Sequence, residues 1–356
     1  MADGRRVLVT GVAGDLAGLL VAALEDRDDV EHLVGVDVRT PRQPLRRATF
    51  VRGDVRNPVV ARALRTERID TVVHLSTASS PASAGGRALM KERNVIGAMQ
   101  LLAACQNAPT VRRFVLKSST AVYGSEHTDP VSFRETDLAR RPPRHGFAKD
   151  ATEVEGYARA FARRRSDVDL TILRFANFVG GRVDSAFHSL FSLPAVPTVL
   201  GFDPRLQFCH EDDAVAVLEQ AVTGTHPGIY NVAGDGVVYL SQAIRLAGRV
   251  PAPVPQPFVN VVADLVRRSR RVDITPEQLR FLQYGRAVDT TRLREEFGYT
   301  PCYTSREAFE DFVRRRRIRG LLAHEDVVRI EREVNALVAR HDQRRFLAGR
   351  SQEPSP

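Results

Sequence analysis

Gly11 and Gly14 lie directly after the apolar run Val7–Thr10, and an acidic residue, Asp37, follows about 20 residues further on. Glycine in such a turn leaves φ unrestricted, and no Cβ keeps a phosphate from the backbone. Leu16, Leu19, Leu20 and Leu24 recur at helical spacing, so a helix begins at the turn. Its free N–H groups and positive dipole end point at the same place. A carboxylate closing the next strand can accept both hydroxyls of an adenosine ribose, and it repels a 2′-phosphate. Together these residues have the chemistry to hold a dinucleotide, with NAD preferred over NADP. Arg39 and Arg42 temper that preference, because arginine is what a 2′-phosphate requires.

The elements that must position these groups read as alternating strands and helices. Strands are expected over 7–10, 32–39, 49–52, 69–75, 113–117 and 168–174, and helices over 57–66, 88–107 and 144–164. Asp54 closes the third strand, where it could hold the adenine amino group or cap the following helix. Such alternation predicts a parallel, doubly wound sheet with ligands beyond the carboxyl ends of its strands. After about residue 178 the rhythm breaks. Short strands (198–201, 228–232) and helices (212–222, 241–247, 259–267, 276–283, 291–297, 305–315) interleave with prolines. The fold class expected is α/β, a Rossmann-like doubly wound parallel sheet with a small C-terminal α/β lobe. Residues 1–177 would form the NAD-binding domain, with some later segments returning to it, and 178–320 a substrate-side lobe. An amphipathic helix over 321–347 and a disordered tail over 348–356 would follow.

Composition narrows the class further. The three cysteines, Cys105, Cys209 and Cys302, have no metal-type spacing, and the nine histidines form no ligand cluster, so no metal is expected. With polar first residues and no apolar span long enough for a bilayer, the expectation is a cytoplasmic protein without a transmembrane segment. The net charge of +9 raises the question of nucleic acid. The basic residues are almost all arginine, with Lys91, Lys117 and Lys149 the exceptions, and their clusters lack interleaved aromatics. Solvated helix ends explain them better, and no nucleic-acid partner is expected.

Taken in order, the segments Thr-Gly-Val-Ala-Gly-Asp-Leu-Ala (10–17), Gly-Asp-Val (53–55), Val-Val-His-Leu (72–75), Asn94-Val95 and Ser-Ser-Thr-Ala-Val-Tyr-Gly (118–124) form a recognisable series. Leu-Arg-Phe-Ala-Asn (173–177), Phe-Cys-His-Glu-Asp-Asp (208–213) and Tyr-Asn-Val-Ala-Gly (230–234) continue it. The chain resembles extended short-chain dehydrogenase/reductases of the NAD-dependent epimerase/dehydratase family, particularly actinobacterial UDP-glucose 4-epimerase-like proteins. That family works with Ser/Thr, Tyr and Lys, the last two as Tyr-x-x-x-Lys. Lys orients the nicotinamide ribose and makes the phenol more acidic, so that it exchanges a proton with a substrate hydroxyl. The resemblance assigns catalytic roles to Ser119 and Lys149. It assigns cofactor contacts to Gly11, Ala13, Gly14, Asp15, Leu16, Asp37, Asp54, Val55, Leu75, Ser76, Thr77, Asn94, Lys149 and Phe175, and substrate contacts to Asn177 and Tyr123. It also implies a homodimer.

The chain departs from the family at the tyrosine. Four residues before Lys149 stands His145. Imidazole titrates near neutrality and is a substitute acid/base; alternatively, the site has lost turnover and only binds cofactor. Tyr123 is a third candidate acid. Where relatives carry an arginine that grips a nucleotide-sugar diphosphate, this chain has Leu206, with Arg205 one step along and facing the other side. The later Arg-Pro-Gly-Asp segment of relatives has no match, with Arg280 or Arg286 as stand-ins, and Asp212 and Asp213 read as helix caps. The expected function is an NAD-dependent epimerase/dehydratase-like oxidoreductase. It would act on a small-molecule hydroxyl or carbonyl substrate, such as a nucleotide sugar. The alternative is a catalytically impaired NAD(H)-binding sensor or scaffold.

Overall fold

A computed structural model describes residues 4–256 and 275–318. The expected helices over 259–267 and 321–347 and the tail lie outside the described residues. Six strands, β1 (Arg5–Thr10), β2 (Val30–Asp37), β3 (Thr49–Arg52), β4 (Thr71–His74), β5 (Arg113–Ser119) and β6 (Asp169–Phe175), form most of a seven-stranded sheet. The seventh is Gly228–Val232, so the order is Gly228–Val232, β6, β5, β4, β1, β2, β3, with every pairing parallel. Order reverses at β1, which places the topological switch point directly beyond the glycine turn.

The strands are short continuous apolar runs because both faces are covered. Val7, Val9, Val73 and Val115 enter one core with the helix α1 (Asp15–Glu25), while Leu8, Val72, Phe114 and Leu116 enter the other. A third core lies in the C-terminal lobe, where Phe187, Phe191, Phe208, Phe281, Phe309 and Phe312 pack together.

Several boundaries move. The second strand begins two residues earlier than expected, at Val30, and ends at Asp37. The long helix is interrupted by a π turn at Glu92–Ile96, between helical stretches Arg87–Lys91 and Gly97–Gln106. Asn57, not Asp54, caps Pro58–Thr66 by accepting from the Val59 N–H. His210, not Asp212 or Asp213, caps Glu211–Thr223 through its ring nitrogen. Asp213 is instead turned inward to accept from the Tyr299 hydroxyl and the Cys302 amide, both at 2.7 Å. Gly228–Val232 leaves the second lobe to complete the main sheet because Ile229 to Val232 find open backbone partners along β6.

Candidate functional site

The turn after β1 is built for a close backbone approach. Gly11 adopts φ +80°, and a Cβ there would stand 2.8 Å from the Ser76 Cα. Gly14 is the N-cap of α1 and supplies no side-chain acceptor, so the first turn of that helix has no protein cap. The Asp37 carboxylate lies against the turn, accepting from the Ala13 and Arg39 amides at 3.0 Å each. These features fit the pyrophosphate and adenosine ribose of a dinucleotide. Arg42 is not free for a 2′-phosphate, because it pairs with Asp15 at 2.8 Å. Ala13, Leu16 and Val55 form buried walls. Asp54 is occupied by Arg56 at 2.8 Å, which holds its carboxyl below the usual range.

Beyond β4, the buried Thr10 hydroxyl accepts from the Leu75 and Ser76 amides and meets the His74 Nδ1 at 2.9 Å. Burial pushes the His74 imidazole down to about 4. Asn94, carried on the π turn, is 2% exposed. Its amide both accepts from Ala78 and donates to the Ala78 carbonyl. Asn94, an expected cofactor contact, thus latches the loop after β4 through these bonds. It also donates to Asp150, which forms a bidentate pair with Arg87 at 2.6 Å.

Ser119 ends β5, half-buried, and accepts from the Ala121 amide at 3.2 Å. Lys149 lies on the helix Gly146–Arg164, paired with Glu153 at 3.4 Å. His145 does not share its helix face. It is the N-cap residue, in extended conformation (φ −156°), exposed, and it makes no side-chain cap. The i, i+4 relation implied by the motif requires both residues to be helical, and the helix begins only after His145, at Gly146 (φ +75°). The free helix end is capped by Glu277 from the other lobe, which accepts from the Ala148 amide at 3.3 Å.

Tyr123, the expected substrate contact and third candidate acid, is enclosed by protein partners. It is 1% exposed, stacked on Phe133, and its hydroxyl donates to Asn231 and accepts from Arg174, both at 2.8 Å. Burial pushes its phenol up to about 12. Its hydroxyl is thus engaged by two protein partners and less acidic than a free phenol. Arg174 in turn grips Glu155 at 2.7 and 2.9 Å. Phe175 is buried at the end of β6, and Asn177 opens the strand Asn177–Val179, half-buried. Arg280 turns to Glu126, whereas Arg286 donates to Thr120 and to the Gly124 carbonyl just past Ser119. Glu277 and Arg87 left no signal in the sequence, whereas His74 lies in the Val-Val-His-Leu segment and Lys117 stands out as a rare lysine among arginines.

A parallel sheet of this order, with a glycine turn after β1, a carboxylate closing β2 and a serine at the end of β5, defines a Rossmann-type α/β fold. Residues 7–233 match the sequence model of the NAD dependent epimerase/dehydratase family, and the chain belongs to that family. It is 47% identical over 314 residues to an uncharacterized protein of Mycobacterium tuberculosis, covering 87% of this chain and 84% of that one. It is 30% identical over 184 residues to the UDP-glucose 4-epimerase of Lactobacillus helveticus, covering 51% of this chain and 54% of the relative. Among solved structures, the UDP-glucose 4-epimerase of Thermotoga maritima with UDP-glucose superposes with a TM-score of 0.69 at 20% identity, over 88% of this chain and 98% of the other. A double mutant of the dTDP-glucose 4,6-dehydratase of Streptomyces venezuelae with NAD bound gives a TM-score of 0.67 at 23% identity, over 88% and 97%. No helix among the described residues is long and apolar enough to cross a membrane.

Proposed function

We propose that this protein is an NAD-dependent oxidoreductase of the epimerase/dehydratase type, acting on a carbinol or carbonyl of a nucleotide sugar. The observation that carries the reading is the uncapped glycine turn with the Asp37 carboxylate against it, at the same sheet edge as Ser119. Asp37, together with the engagement of Arg42 by Asp15, favours NAD over NADP. NAD would accept and return a hydride. Ser119 would hold the reacting oxygen, Lys149 the nicotinamide ribose, and the exposed imidazole of His145 would pass the proton to solvent. Phe175 and Asn177 border the substrate side. A second copy of the chain would cover the apolar residues Leu89, Ile96, Met99 and Tyr157, which are 38–51% exposed on adjoining helices.

One observation favours a second reading, in which cofactor is bound without turnover: His145 stands outside the helix that carries Lys149. Mass spectrometry of the small molecules released on denaturation separates the two. NAD with a nucleotide sugar is the expected result; NAD alone, with no hydride exchange on any sugar nucleotide offered, favours the sensor. Under the first reading His145→Ala abolishes turnover while NAD binding persists, and full residual activity would remove His145 from the mechanism.

A further inference from the structure

Lys117 lies on β5 two residues before Ser119, so both side chains leave the strand on the same face. Its ammonium donates to the Thr77 hydroxyl at 2.9 Å and stands 5.8 Å from the Phe178 ring centre. It is half-buried and lines a recess with Thr77, Asn94, Phe147, Ala151 and Val154. Among the described residues it has no carboxylate partner, and neither does Arg286, which is buried against the Gly124 carbonyl past Ser119, whereas three other cations near the site are paired. Lys149 has Glu153, Arg87 has Asp150, and Arg174 has Glu155. The neighbouring imidazole, His74, is neutral near pH 7, and His145 is exposed at the start of its helix. Lys117 is thus an uncompensated positive charge held in place by Thr77.

Where this charge falls along a bound dinucleotide follows from the strand order. The glycine turn at β1 takes the pyrophosphate and Asp37 at β2 takes the adenosine half, so the nicotinamide half extends the other way, over β4 and β5. Lys117 stands at that end. The oxidised ring is a cation and the reduced ring is neutral, whereas the pyrophosphate charge is common to both forms. An uncompensated ammonium there therefore acts on the difference between them.

Resting on the cofactor reading above, we propose that Lys117 sets the redox preference of the site. Its ammonium disfavours NAD+ relative to NADH and biases the protein toward holding reduced cofactor. Burial lowers the Lys117 ammonium to about 8. The bias is then full below that pH and fades as the amine becomes neutral above it. His74, pushed down to about 4 by burial, is neutral across the same window, and Lys117→Met separates the Lys117 contribution from that of Arg286, which burial lowers to about 10.

The test measures Kd for NAD+ and NADH by calorimetry at pH 6.5 and pH 9.5, with wild type, Lys117→Met and Lys117→Arg. In wild type the ratio Kd(NAD+)/Kd(NADH) should fall about tenfold on going to pH 9.5, one pKa unit of coupling. In Lys117→Met the ratio should be low and independent of pH. In Lys117→Arg, whose charge does not titrate, it should stay high at both. An unchanged wild-type pattern in Lys117→Met, or a ratio independent of pH in wild type, overturns the inference while leaving cofactor binding intact. Failure of wild type to bind either nucleotide overturns the cofactor reading together with it.

Discussion

The turn after β1 and the start of helix Gly146–Arg164 lie at the same sheet edge and are held in opposite ways. The first is specified locally. Gly11 and Gly14 set the backbone, and a carboxylate from the adjoining strand meets it. The second is specified by distant residues. Arg87 bonds the Gly146 carbonyl, and Glu277, from the other lobe, supplies the cap that His145 does not. A site member placed by local geometry tolerates changes elsewhere. One placed by remote contacts inherits every change in the packing of two lobes, and at this end stands His145, four residues before Lys149.

The largest effect that would sharpen this contrast is on stability at the remotely held end. Arg174→Met leaves Glu155, 2% exposed, to Ser118 and the half-exposed Arg159, and should cost about 3 kcal/mol in urea unfolding. A cost under about 1 kcal/mol would show that the network does not hold β5, β6 and the helix together. Next comes Gly14→Asp, which places a carboxylate at the uncapped end of α1. NADH affinity should fall on the order of 100-fold, about 2.7 kcal/mol, with little change in unfolding midpoint. Unaltered affinity would refute the turn as a phosphate site.

The smallest effect is at the inter-lobe cap. Glu277→Ala should cost about 1 kcal/mol and speed amide exchange at residues 147–149, leaving residues 15–18 unchanged. Burial raises the Glu277 carboxyl, so its ionisation opposes folding as pH rises through the folded value. The wild-type stability curve should therefore lose more than that of Glu277→Ala as pH rises above 4.5, and coincident curves would place the carboxylate in solvent.

Much of the fold was legible because local pattern and global role agree. Val7–Thr10, the glycines and Asp37 each announce their conformation within a few residues, and apolar runs of strand length alternate with helical periodicity. The positions of Gly228–Val232, Asn94 and Tyr123 were not legible in this way. A five-residue strand carries no mark of which sheet it will join, and the amide of an asparagine or the hydroxyl of a tyrosine suits a ligand as well as a buried partner. His145 shows the same limit within a motif. Its spacing from Lys149 is a fact of sequence, but the helix starts only at Gly146, where the chain lies against Glu277, more than a hundred residues away. The sequence by itself determined the parallel sheet, the glycine turn after β1 and the family. Only the tertiary structure decided which polar groups remain free for a ligand, because that depends on which long-range partners each donor and acceptor has already met.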